Sequence, residues 1–168
     1  SMLKSLDMEH TYPRHAPLPS TADPSTWKST EHVGVTRVVQ SMTGSLNHIA
    51  QTVRCDISFA TNQFGSSQCM PAVAVIPNLR HCYKYMHATK HWGVSYSAPF
   101  TTPGSPVNVL DCWVDASDGD GPKSRSQTGY IVRLNGGPID WGSGRQSTTS
   151  LNTAESELKA SCTAARST

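Results

Sequence analysis

Carboxylates are the groups in this chain whose types and spacing could do chemistry. Asp115 closes the apolar run around Val109, Leu110, Cys112 and Val114, and Glu155 and Glu157 open a segment of good helix composition. Clustered carboxylates hold divalent cations, so the question is which of these acids can meet. Taken alone, an aspartate at a strand end is a turn former. Glu155 and Glu157 are separated by helix geometry: residues two apart lie roughly 200° around the axis and cannot serve one site. Asn152-x-x-Glu155 has capping-box-like spacing, which makes Glu155 an N-terminal structural carboxylate. Asp118-Gly119-Asp120-Gly121 superficially matches a calcium loop. Pro122 stands at its fifth position and no spaced glutamate follows, so a glycine-rich turn is the better reading. His81, His87 and His91 fall at spacings of six and four that give no clean metal shell. Arg80, Lys84 and Lys90 read as a solvated face, and Tyr83, Tyr85 and Trp92 as packing residues.

The bulk properties set loose bounds. The 168 residues are 36% hydrophobic and 15% charged, with 12 Gly and 11 Pro, a lean core composition rich in turn formers. One domain or two small ones fit that length. A net charge of +2 implies no particular partner. No run approaches a membrane span, and the N-terminus has no secretory pattern. Five scattered cysteines without C-x-x-C spacing fit reduced thiols in an intracellular setting, cytoplasmic or nuclear, rather than a disulfide framework or zinc site. The opening Ser1-Met2 reads as a cut or scar rather than a natural start.

The elements that would position the acids can be read from periodicity. Residues 1–34, proline-rich and aperiodic at the start, are expected to be a linker. Val38, Val39, Met42, Leu46, Ile49 and Ala50 recur at helical intervals, although Gly44 interrupts them. Asp56 is placed to cap a second short helix through Phe59, Ala60 and Phe64. A third helix is expected near Leu79, Cys82, Tyr83 and Met86, then a short strand at Gly93-Val94-Ser95-Tyr96. After a Pro-rich boundary at 98–106, Val107, Val109, Leu110, Cys112 and Val114 read as a buried strand. Tyr130, Val132 and Leu134 alternate into Asn135-Gly136, a hairpin signal, and Ile139 and Trp141 return. A final helix is expected from Asn152 to about Arg166.

These stretches resemble one family in one order. Thr43 to Ala50 (TGSLNHIA), Val53 to Ala60 (VRCDISFA) and Tyr83 to Lys90 (YKYMHATK) are similar to VGSLNYLA, TRPDISFA and LRYLKGTK of copia-type retrotransposon polyproteins. Val114-Asp115-Ala116, Thr128-Gly129-Tyr130, Asn135 to Trp141 (NGGPIDW) and Thr153 to Leu158 (TAESEL) follow in the order of that family's ribonuclease H segment. The resemblance spans roughly 35 to 165. It implies an α+β fold: a short helical reverse transcriptase connection at 35–97, then a partial ribonuclease H-like mixed sheet at 107–168 with three strands and the first helix. It further implies that Asp115 is the metal-bridging aspartate and Glu157 the catalytic glutamate. Both would be ligands of Mg2+, and the parent activity would be hydrolysis of RNA in an RNA–DNA hybrid. The departures are definite. Ser117 replaces a second aspartate, Pro71-Ala72-Val73-Ala74 replaces PAHW, and Pro77 falls inside the family's long helix, where a proline costs about 3 kcal/mol. Nothing after Glu157 resembles the family's third and fourth carboxylate segments or its fourth strand, which pairs with the first. The expectation is therefore a fragment inactive alone, with weak or no magnesium binding and a sheet edge open to a partner chain. The alternatives are a non-enzymatic nucleic-acid-binding or protein-binding remnant, or a relic reading frame.

Overall fold

A computed structural model describes residues 14–29, 34–96, 108–117 and 125–166. The chain divides into two compact units, 1–93 and 94–168. The architecture is α+β, with four α-helices and one three-stranded antiparallel sheet among the described residues.

The first unit is helical. α1 (Thr36–Thr52), α2 (Ser58–Ser67) and α3 (Val75–Ala88) pack around a core that includes Val39, Met42, Leu46, Ala50, Phe64, Leu79 and Cys82. The three- and four-residue intervals of the sequence chose the buried face of α1 correctly at Val39, Met42, Leu46 and Ala50, while Val38 lies outside. α1 runs straight through Gly44, where an added Cβ would meet nothing within 4 Å. Gly44→Ala is therefore expected to stabilise this unit by about 1 kcal/mol, read as a raised urea midpoint. An unchanged midpoint would mean that the backbone freedom of glycine is not being lost on folding.

Three local expectations are corrected. Asp56 caps nothing: it lies in the 3-10 turn Cys55–Ile57 and its carboxylate binds Arg54 and Tyr85. Pro77 is the third residue of α3, in the first turn, where backbone N–H groups have no helical acceptor, so the interior penalty does not apply. Residues 93–96 form no strand. The expected linker at 1–34 also includes a core residue. The 3-10 turn Pro24–Trp27, capped by Asp23, buries Trp27 against Phe64 with ring centroids 5.1 Å apart.

The second unit is a meander of β1 (Leu110–Ser117), β2 (Gln127–Leu134) and β3 (Gly137–Arg145), followed by α4 (Thr153–Ala165). The strand order is β1-β2-β3, so β1 pairs on one side only among the described residues. Asn135 (φ 52°) and Gly136 (φ 82°) make the two-residue turn, as that dipeptide implies. β1 was expected to be buried and is not. Leu110 is 50% exposed, Trp113 63%, and Cys112 also faces solvent. Val107, and the turn containing Asp118 and Asp120, lie outside the described residues.

Candidate functional site

The site is built where α4 crosses β1 and β2. α4 buries Ser156, Ala160 and Ala164, a small-residue stripe four apart that lets the helix lie close on the sheet. Antiparallel partners share a face, so Ala116, Thr128, Val114, Tyr130, Cys112 and Val132 belong to the side that α4 covers. Asp111, Trp113 and Asp115 take the opposite side with Arg133, Ile131 and Gly129.

Glu157 follows the buried Ser156 by one helical step, which turns it toward the outer edge of β1. Its Oε1 accepts from the Ala116 N–H at 3.4 Å. That N–H belongs to the peptide joining Asp115 to Ala116. Strand alternation sends the exposed Asp115 side chain to the face opposite Ala116. The two predicted site residues thus flank one peptide at the edge of β1 that has no strand partner among the described residues. Among the described residues, no group of three or more His, Cys, Asp or Glu is arranged to hold a metal ion.

Glu155 does the structural work its spacing implied. The Asn152 side chain accepts from the Glu155 N–H at 2.9 Å, and Glu155 Oε2 accepts from the Leu151 N–H at 2.7 Å. Lys159 Nζ stands 2.7 Å from Glu155 Oε1. The Lys159 bond first, then the Leu151 amide, hold the Glu155 carboxyl below its ordinary range.

A residue that sequence reasoning missed fixes α4 on the sheet. Gln146, buried just after β3, donates from Nε2 to Thr128 Oγ1 at 3.1 Å and to the Ser156 carbonyl at 2.9 Å. Its Oε1 accepts from Ser150 Oγ at 3.1 Å. Nothing in Arg145-Gln146-Ser147 distinguishes it from a loop residue, because both its partners to Nε2 are distant in sequence. Gln146→Ala removes three buried or part-buried hydrogen bonds, and a cost of about 1–3 kcal/mol to the second unit is expected. Urea unfolding followed by far-UV circular dichroism checks it; a change under half a kcal/mol would remove Gln146 from this role.

Beside α4 and the β2–β3 pair lies a cleft of about 660 Å³, lined by Tyr130, Arg145, Gln146, Glu155, Lys159 and Arg166 among others. Gly142 also lines it, and an added Cβ there would stand 2.7 Å from the Tyr130 ring, so the ring in this position would have to shift. The cleft's lining includes three cations and one carboxylate. Lys159 is engaged by Glu155, whereas Arg145 and Arg166 have no ion-pair partner among the described residues. Among the described residues the histidines form no metal-holding group, and His81 Nε2 bonds the Ala16 carbonyl at 3.0 Å in the first unit.

With this geometry established, comparison with known proteins gives two informative similarities. Over 121 residues the chain is 31% identical to the retrovirus-related Pol polyprotein from transposon RE1 of Arabidopsis thaliana. That match takes in 71% of this chain and 8% of that protein. Over 123 residues it is 28% identical to secreted RxLR effector protein 161 of Plasmopara viticola, covering 71% of this chain and 81% of the effector. No protein-family model matches, and no solved structure does. The sequence therefore carries a segment similar to a retroelement Pol polyprotein, and it corresponds to less than a tenth of that protein's length. No helix among the described residues is long and apolar enough to cross a membrane.

Proposed function

We propose that the second unit is the opening half of a copia-type ribonuclease H-like domain, and the first unit the reverse transcriptase connection that precedes it. The carrying observation is the contact of Glu157 with the peptide that follows Asp115, made by a helix after a three-stranded meander. Similarity to a transposon Pol polyprotein supports the same reading. In it, Asp115 and Glu157 are the first two acids of a metal-dependent site acting on RNA in an RNA–DNA hybrid.

Asp115 leaves β1 on the face opposite α4, so a magnesium ion shared with Glu157 would sit at the strand edge and keep most of its waters. Two ions about 4 Å apart, clamping the attacking and leaving oxygens of a phosphate, need more acidic ligands than these two. Weak magnesium binding without hybrid cleavage is thus the expected behaviour of this 168-residue chain. The test is cleavage of a labelled RNA–DNA hybrid with magnesium, beside a magnesium titration, for the chain and for Asp115→Asn. The expected result is no cleavage from either, and a weak titration lost in the variant. Cleavage that Asp115→Asn abolishes would show a completed site, and a titration identical in the variant would sink the assignment.

A second reading, a non-enzymatic remnant that binds nucleic acid, is favoured by the cleft, where Arg145 and Arg166 have no ion-pair partner among the described residues. Its affinity would fall steeply with salt and with Arg145→Ala. Five free thiols suit a reducing, intracellular compartment on either reading.

A further inference from the structure

Two glycines hollow the sheet beside α4. Gly142 pairs with Tyr130 and Gly144 with Thr128, so both share the face that α4 covers. The helix packs chiefly on β1 and β2. On that face β3 therefore carries bare backbone at these two positions, and both glycines line the cleft. The two answer to different needs. The Tyr130 ring already fills the space that a Cβ on Gly142 would enter. A Cβ on Gly144 would meet nothing within 4 Å, and the backbone there is not left-handed. Neither packing nor conformation within the fold calls for that glycine, although glycine weakens a strand interior. In such a place it often marks the close approach of another molecule.

The lining indicates what kind of molecule. The Tyr130 ring is packed against Gly142 and its hydroxyl donates to Asp140 Oδ2 at 3.3 Å, which holds an aromatic ring in place. Leu158, 65% exposed, adds an apolar side chain from α4. Lys159 is bonded to Glu155, so the uncommitted positive charge belongs to Arg145 and Arg166, which have no ion-pair partner among the described residues. A ring, an apolar side chain and guanidinium groups beside bare backbone suit a planar base joined to a phosphate. The volume of about 660 Å³ falls in the range of small-molecule sites, roughly 300–1,000 Å³. β3 lies across β2 from β1, so a strand added beside β1 leaves the cleft uncovered.

We propose that the cleft receives one unpaired base of a single-stranded nucleic acid, with the adjoining phosphate at Arg145 and Arg166. A duplex keeps its bases paired and stacked, and offers a cleft of this size only its backbone. An unpaired base presents both faces of its ring and can enter. Phosphate contacts alone carry no information about the base, so the base in the cleft is a separate element of recognition. The proposal rests on the nucleic-acid-binding reading of the cleft and adds what enters it.

Fluorescence anisotropy at low salt compares binding of the full chain to a labelled oligothymidine strand and to an abasic strand of the same length. Both strands carry the same phosphates, so the difference between them reads the base. The oligothymidine strand is expected to bind about tenfold tighter, the scale of one base–aromatic contact. Gly144→Val puts a strand-compatible side chain into the cleft. It should bring the oligothymidine strand to the abasic level and leave abasic binding unchanged. Circular dichroism checks the fold of this variant. If the fold is lost, Leu158→Ala, at an exposed helix position, is expected to narrow the same difference severalfold. Equal binding of the two strands, or a difference that the folded variant leaves intact, would overturn the proposal, while salt-sensitive binding would keep the broader reading. Absence of binding to either strand would end both.

Discussion

Asp56→Ala is expected to cost the first unit about 3–5 kcal/mol, because it strands a buried guanidinium. Arg54 is 4% exposed. It makes two bonds to the Asp56 carboxylate, at 2.8 and 2.7 Å, and two to Thr89, at 3.0 Å to the carbonyl and 2.7 Å to Oγ1. Tyr85 donates to Asp56 Oδ2 at 2.7 Å, and the guanidinium lies 5.6 Å from its ring centroid. The network ties the turn after α1 to the end of α3. Small domains are stable by only about 5–15 kcal/mol, so a loss of this size takes much of the total. Urea unfolding monitored by helix circular dichroism measures it. A loss below 1 kcal/mol would mean that water reaches Arg54 and replaces the carboxylate.

The same network gives a pH profile with a definite sign. Burial pushes the Asp56 carboxyl up, but bonds from Arg54 and Tyr85 and the Arg54 charge outweigh it, leaving the group below its ordinary 3.8. A carboxyl depressed in the folded state contributes stability above its unfolded value and loses it as pH falls through the folded one. The urea midpoint should therefore hold from neutral pH to about 5 and drop below about 4. Tyr85 behaves in the opposite sense. Burial first, then the Asp56 hydrogen bond and charge, push its hydroxyl from 10.0 to about 12. Its share is complete below the unfolded value and is lost as pH rises through that interval.

Trp27→Ala carries the second large effect, about 3–5 kcal/mol for emptying an aromatic site in a packed core. Trp27 is 1% exposed and stacks on Phe64 at an interplanar angle of 17°. Its carbonyl accepts from the Ala72 N–H at 2.8 Å, and the neighbouring Ser29 N–H donates to Met70 at 3.0 Å. Lys28 and Pro71 form an isolated antiparallel bridge there. Removal of the ring thus frees the 14–29 segment from α2 as well as opening a void. Limited proteolysis is expected to cut the variant near Trp27 much faster than the parent, alongside a lowered urea midpoint. Equal cutting rates would show that the backbone bridge alone holds the segment.

What could be read from sequence was what is local. The buried face of α1, the Asn135-Gly136 turn and the Asn152 cap each depend on residues within a few positions of one another. Trp27 was lost in a proline-rich stretch because a single apolar residue has no period. Arg54 went unnoticed because its partner Thr89 is 35 residues away. The apolar run of β1 was taken for a buried strand because composition says how apolar a segment is, not whether a second layer covers it. Asp115 and Glu157 could be singled out only through resemblance to a family. Their spacing in sequence carries no geometry until α4 lies across the sheet.

Four of the five thiols divide into two populations with different chemical fates, and Cys55 is half-buried between them. Cys69, Cys112 and Cys162 are exposed, whereas Cys82 is fully enclosed and its thiol is pushed by burial to about 12. Alkylating agents attack the thiolate, so Cys82 reacts only during excursions that open the helices around it. The chain thus contains its own label for such openings. The rate at which Cys82 is capped, compared with an unfolded peptide, reports how often the first unit comes apart under native conditions, without denaturant and without an added probe.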